Sequence, residues 1–494
     1  MTTRALQDRF GPLLLVAVCL LAVFSVSILN HGPLFYFDSF AYVDQGNEVL
    51  KMILPKGSLI APPAVDATGL ATGAVTGGAN ESVNGSRSVL FGVVMALFYQ
   101  AHALWAFPVL AAIYTVATVW LPVRVAARMN LLPRGRLTML CLPLLFAAAG
   151  SLPFYISYLM PDILAPGLIM ISATLFAFGA HMRWGEVILA ALLGVIAVVS
   201  HPSHLLISAV LMGMFTLIAL ISRHRGRWLA PMVLTVLVVM GGAERLMFRS
   251  AVKSIAKSEV TYFPYLTARL IADGPGLTYL QDSCPNAEIA TCALFDALSK
   301  SDDPMRFTAT HIVFETSERL GSFRLMPYAD QKSVVEGQMT FARNVVMHDP
   351  FGLVAGLLSN TLKQARRDSI EMTVPSANQI AIAAAKFPEA HTFKGPLITD
   401  QSWIPAVEWI HQVVNFIAFL VVLGLLVWPG RVAAPVKLLA IAILMGLFAN
   451  AFVCGAVSQP ADRYGARVIW LLPMLATFMT LFVWPNASPK RPKL

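Results

Sequence analysis

The chain is short of charge. Only 13% of its 494 residues are Asp, Glu, Lys or Arg, where a soluble globular domain carries about a quarter. With 57% hydrophobic residues, that shortfall excludes an ordinary soluble domain and points to a polytopic membrane protein. Nucleotide-phosphate loops of the GxGxxG or P-loop kind are missing, and so is HExxH, which argues against an ATP-driven pump. Few charges fall within the apolar runs and no internal repeat is evident. Both absences argue against a transporter or flippase, which needs mid-membrane charges and inverted repeats. Cysteine is sparse, five in all: Cys19, Cys141 and Cys454 lie in apolar runs, and Cys284 and Cys292 lack metal-ligand spacing.

What the chain does have is length in apolar runs. Residues 11–30 are uncharged and of spanning length, since roughly 20 residues cross a bilayer. The run is too long for a signal-peptide core and reads as a retained first helix. Further runs near 106–123, 137–153, 163–181, 187–205, 206–222, 229–246, 411–428, 436–456 and 467–484 make about ten transmembrane helices. Placing Arg4 and Arg9 in the cytoplasm puts Arg124, Arg128, Arg134 and Arg136; Arg183; Arg223, Arg225 and Arg227; Arg431 and Lys437; and Lys490, Arg491 and Lys493 on the same side. The short opposite loops at 154–162 and 200–205 have no Lys or Arg. This positive-inside pattern predicts cytoplasmic N- and C-termini. The net charge of +9 is then membrane anchoring and no argument for nucleic acid.

The expected organisation is an N-terminal transmembrane module, 1–246, with a first outer loop at 31–105. A mostly helical outer domain at 247–410 and a C-terminal transmembrane module at 411–494 follow. Within the first loop, 39–53 reads as an amphipathic helix lying in the membrane interface. Asp66 to Ser88 is rich in Gly, Ala, Thr, Ser and Asn and is expected to be mobile until something binds. Residues 88–105 read as a partly inserted helix, because an eleventh span would invert every later loop. In the outer domain, helices are expected over 249–272, 305–320, 334–348 and 352–370. Cys284 and Cys292 suit a disulfide in an oxidising compartment such as a periplasm, with two free thiols as the alternative.

Ionisable groups at a membrane are costly and mark function. Asp38, in Tyr36-Phe-Asp38-Ser-Phe-Ala-Tyr42-Val-Asp44, follows the first span, with Tyr42 and Asp44 close by. It is either a base or the cap of a helix starting at Ser39. Asp162, after Pro161 in the next outer loop, offers the same two readings. His201 and His204 stand at the outer end of a span, either structural or interfacial, or else catalytic, in contact with a lipid phosphate, or metal-binding. Arg463 and Arg467 break the positive-inside pattern. They share a helix face four residues apart and match a phosphate group bidentately, or pair with Asp462.

These features together resemble the GT-C superfamily of integral membrane glycosyltransferases, in a bacterial subfamily. The resemblance covers the architecture: a first helix, an outer loop with an early aspartate, interfacial helices, many spans and an outer soluble part. It implies an inner-membrane enzyme that moves a sugar from a polyprenyl-phosphate donor to a lipid or glycan acceptor with inversion. Asp38 would be its base, Asp162 a second acidic residue, and Arg463 and Arg467 its phosphate-binding groups. It fixes no cofactor and leaves a divalent metal open. Asp38 is followed by Ser39 rather than a second acid, the outer domain precedes the last three spans, and no WWD motif occurs. An O-antigen-type polymerase or ligase, and a non-catalytic envelope-assembly scaffold, are the competing readings.

Overall fold

The computed structural model describes residues 3–55, 59, 82–85, 87–222, 225–255, 259–285, 289–315, 317, 320–386 and 395–483. The chain enters through α1 (Thr3–Val23) and continues into two helices of the first loop, α2 (Phe37–Ile53) and α3 (Val89–Gln100). Then come α4 (Ala106–Arg128), α5 (Arg136–Ala147), α6 (Leu164–Phe178), α7 (Trp184–Ser200), α8 (Pro202–Ser222) and α9 (Leu229–Ile255). Among the described residues, seven helices are long and apolar enough to cross a membrane. They are Ala106–Arg128, Pro161–His181, Pro202–Ser222, Gly226–Ser254, Ile404–Val427, Ala434–Val457 and Asp462–Val483. The other three expected spans are shorter apolar helices, Gly11–Val23, Arg136–Ala147 and Trp184–Ser200. The protein is thus an all-α polytopic membrane protein, with the expected apolar runs each appearing as helix.

Helix α6 is the axis of the bundle. Nearly every one of its side chains is buried, as a helix apolar on all sides requires, and it packs on α4, α7 and the later span α13 (Ala434–Phe452). The far end of α6 is closed by charge: Arg128 donates to the His181 carbonyl, and Arg124 pairs with Glu186 at 2.9 Å. The near end begins with the single turn Pro161–Ile163, which carries Asp162.

Two backbone links draw the first loop to that near end. Leu34 donates to the Ser157 carbonyl and accepts from the Leu159 amide, both at 2.8 Å. Strand β1 (Ser82–Asn84) pairs in parallel with β2 (Glu259–Thr261), joining the loop to the second long segment. Helices α2 and α3 pack against each other. Of the stretch expected to be mobile, 66–81 lies outside the described residues.

The helix expected over 249–272 is interrupted: α9 ends at Ile255, β2 intervenes, and a new helix starts at Tyr265 after Pro264. The helices between Tyr265 and α10 (Tyr328–His348) share a second apolar core, built on Phe263, Leu280, Leu298, Phe323, Phe341 and others. Cys284 and Cys292 are joined as a disulfide there, with Cα atoms 5.8 Å apart. Ile370 and Ile398 belong instead to the transmembrane core. Helix α11 (Pro350–Ala365) lies against the end of α13. The chain closes with α12 (Ile404–Val427), α13, α14 (Asp462–Ile469) and α15 (Leu471–Val483).

Candidate functional site

The site is built on α14. Arg463 and Arg467 stand four residues apart, one turn of helix, so both reach across the same face. Each meets a different carboxylate. Arg463 pairs with Asp38 at 3.2 Å and Arg467 with Asp162 at 3.3 Å. Four residues singled out in the sequence are thereby brought together from three separate parts of the chain.

Neither aspartate serves as a helix cap. At the start of α2 the capping oxygen is Ser39 Oγ, which accepts from the Tyr36 amide at 3.0 Å. Asp38 is one turn-position inside the helix, free to reach outward. Asp162 lies within its short turn, whose first residue is preceded by Met160 with no side-chain cap.

The two ion pairs differ in character. Arg467 is 0% exposed and Asp162 1%. The guanidinium also donates to Asn450 Oδ1 at 2.8 Å, Ser203 Oγ at 3.2 Å and Cys454 Sγ at 3.1 Å. Asn450 in turn donates to the Tyr464 carbonyl at 2.7 Å, tying α13 to α14. All of this is interior structure. Asp38, by contrast, remains 26% exposed, and a second arginine holds it: Arg87 Nη2 donates to Asp38 Oδ1 at 2.7 Å. Burial pushes the Asp38 carboxyl up, but Arg87 and Arg463 outweigh it and lower it to about 2. The carboxylate is therefore ionised throughout neutral pH. Arg324 of the second long segment is close enough to Arg87 to feel its charge. The exposed end of the cluster carries more positive than negative charge.

Aromatic rings frame it. The Arg463 guanidinium lies over Tyr36 at 5.1 Å and over Tyr464 at 4.9 Å, contacts that favour a desolvated cation. Arg467 lies over the same Tyr464 ring at 5.1 Å. Tyr155 donates to the Arg463 carbonyl at 2.6 Å, and Tyr36 packs on Tyr158. Tyr42 is buried one turn after Asp38, edge-on to Phe91 at 4.8 Å. Burial pushes its phenol well up, so it stays protonated.

His201 ends α7, and Pro202 opens α8. The Ser203 amide donates to His201 Nδ1 at 3.1 Å and Ser203 Oγ lies 2.8 Å from it. That assigns the ring proton to Nε2. Burial and then the positive charges of Arg467 and Arg463 lower its pKa, so the ring is neutral. His204 is fully buried, with Nδ1 2.8 Å from the Ala197 carbonyl, and so pins α8 to α7. Asp44 is not brought to the cluster; its charge acts on Tyr99 of α3. Among the described residues, no three His, Cys, Asp or Glu side chains lie where they could hold a metal ion.

Sequence reasoning missed Arg87 because it sits in a Gly- and Ser-rich stretch that reads as loop. The misplaced-charge argument that singled out Arg463 applies to it equally. Tyr36, Tyr155 and Tyr464 gave no signal beyond their neighbours.

No family model matches the chain, and no curated protein matches it. Two solved structures of ArnT from Cupriavidus metallidurans are similar to it. The one bound to undecaprenyl phosphate has 13% identity and a TM-score of 0.33, covering 95% of this chain and 77% of its own. The apo state has 12% identity and a TM-score of 0.35, covering 96% and 78%.

Proposed function

We propose that this protein is a bacterial inner-membrane glycosyltransferase of the GT-C type. It takes a sugar from a polyprenyl-phosphate donor and passes it, with inversion, to an acceptor on the periplasmic side. The observation that carries this reading is the Asp38 carboxylate held between Arg87 and Arg463 at the membrane end of the bundle. The donor's phosphate engages Arg87 and Arg463, whose guanidiniums present paired donors to its oxygens. Asp38 accepts the proton of an acceptor hydroxyl, and the freed oxygen attacks the sugar carbon. The carbon–oxygen bond to phosphate breaks, and the polyprenyl phosphate leaves with its charge offset by the same arginines.

The two cations that keep Asp38 ionised also make it a weak base. A phosphate that draws either guanidinium away relieves that hold and raises the proton affinity of Asp38 only when donor is present. Arg467 takes a different role from the one its sequence position implies. Sealed from solvent and already satisfied by Asp162, Asn450, Ser203 and Cys454, it positions α14 rather than meeting phosphate.

The test is a cell-envelope glycan assay with Asp38→Asn, together with native mass spectrometry of the purified protein with undecaprenyl phosphate. Loss of the glycan modification in Asp38→Asn with lipid binding retained, and loss of lipid binding in Arg463→Ala, are expected. Unchanged glycan at normal expression removes Asp38 as the base.

A further inference from the structure

Helix α11 is inside out. Phe351, Val354, Leu358 and Leu362 follow one another at helical spacing along a single face. All four are exposed, Phe351 at 87% and Leu358 at 57%. Asn360, Thr361 and Gln364 of the same helix face the protein instead. Asn360 donates to Asp273 at 2.8 Å, and Gln364 both accepts from the Ala461 amide at 2.9 Å and donates to the Ala461 carbonyl at 3.0 Å. A helix in a water-facing domain has the reverse arrangement.

What covers this face follows from what the helix touches. Helix α11 packs on the end of α13 and the turn after it, Val453–Val457. The approach is close: a Cβ added at Gly455 would stand 2.5 Å from the Asn360 carbonyl oxygen. Phe448, on the same span α13, is itself half exposed, at 51%, as a lipid-facing residue would be. Helix α11, which packs on that same span, exposes its own apolar face beside it. At its C-terminal end Lys363 and Arg366 are exposed, the arrangement that lets ammonium and guanidinium groups meet lipid phosphates while the apolar face enters the acyl boundary.

We propose that α11 is an interfacial helix whose Phe351–Leu362 face is buried in the leaflet of the bilayer on the Asp38 side, so that this membrane surface is a docking partner of the second long segment. Its composition hides this, because the segment around it is ordinary and the helix is too short to span. Through Gln364 the lipid-docked helix holds Ala461, two residues before Arg463.

The test uses the full chain in lipid nanodiscs with a polarity-sensitive fluorophore on a cysteine introduced as Leu358→Cys. The three native free cysteines are buried. Phospholipids carrying a nitroxide near the headgroup or at mid-chain are the quenchers, and Asp302→Cys, at an exposed polar position, is the reference. At least threefold stronger quenching at 358 than at 302, with blue-shifted emission, is expected. Quenching equal to the reference overturns the proposal. So does blue-shifted emission without lipid quenching, which assigns the face to a protein or to a second copy. If the 358 label prevents folding, Phe351→Cys reads the same face.

Discussion

Arg467 and Asp162, 305 residues apart in the chain, meet at 3.3 Å with both side chains closed to solvent. A buried pair of this kind adds little over an apolar pair of the same shape, but removing one partner strands a charge and costs about 3–5 kcal/mol. Asp162→Ala is therefore expected to lower the Tm markedly in detergent. Arg467 keeps its bonds to Asn450, Ser203 and Cys454, which places the loss at the lower end. Combining Asp162→Leu with Arg467→Met is expected to cost less than the two single changes added together. A thermal unfolding cycle reads this directly, and strict additivity removes the coupling between the two helices.

Arg87 and Arg463 both hold Asp38, yet they differ in access: Arg87 is the more exposed of the two. A charge-assisted hydrogen bond is worth roughly 1.5–3 kcal/mol, or about 10- to 100-fold in affinity. Arg87→Ala is expected to weaken polyprenyl-phosphate binding by that factor and to lower the Tm modestly as well, because Arg87 is one of the two cations that hold the Asp38 carboxylate. Arg463→Lys keeps the charge but loses the planar fork and the stacking between Tyr36 and Tyr464, so it is expected to reduce binding as well. Native mass spectrometry across a lipid titration separates the two. Wild-type binding by Arg87→Ala takes this residue out of the donor site.

Much of the architecture was legible because the bilayer imposes a length on each apolar run, and each run became a helix. The convergence of Asp38, Asp162, Arg463 and Arg467 was legible only as a shared side of the membrane. Which arginine meets which acid is set by contacts across 425 residues for Arg463 and Asp38 and 305 for Arg467 and Asp162, and no local pattern encodes that. Arg87 was hidden by the Gly- and Ser-rich residues around it. The inside-out face of α11 was hidden because periodicity marks an apolar stripe without saying what it faces. Asp44 shows the converse: it lies six residues from Asp38 on the same helix, more than one and a half turns on, and so points elsewhere.

The depressed Asp38 carboxyl makes stability depend on pH. Its ordinary value is 3.8, and in the folded protein it is about 2. A carboxyl lowered by folding contributes stability that is fully present above the unfolded value and is lost as pH falls through the folded one. The window is therefore about pH 4 down to about 2, and the contribution is on the order of 2 kcal/mol. Unfolding in detergent is expected to show a steeper loss across that window in the wild type than in Asp38→Asn. Equal slopes leave the two arginines without the effect assigned to them.

Gly465 lies between Arg463 and Arg467 on α14, and it is where the chain after α11 crosses that helix. A Cβ at this position would stand 1.8 Å from the Arg367 carbonyl oxygen and 3.4 Å from the Asp368 Cα. Both obstacles are backbone, so no side-chain rotation makes room, and α14 must move away from the segment around residue 367. That movement opens the link from Gln364 to Ala461 and carries both arginines off their carboxylates. Overpacking of this kind costs about 1–3 kcal/mol. Gly465→Ala is expected to lower the Tm and to weaken polyprenyl-phosphate binding together, although the substituted residue touches no ligand. Gly424, in the last turn of α12 with nothing within 4 Å of its added Cβ, is the control: Gly424→Ala is expected to be neutral or slightly stabilising, as an open helical glycine is. If Gly465→Ala behaves like Gly424→Ala in both measurements, the close crossing does not set the position of α14.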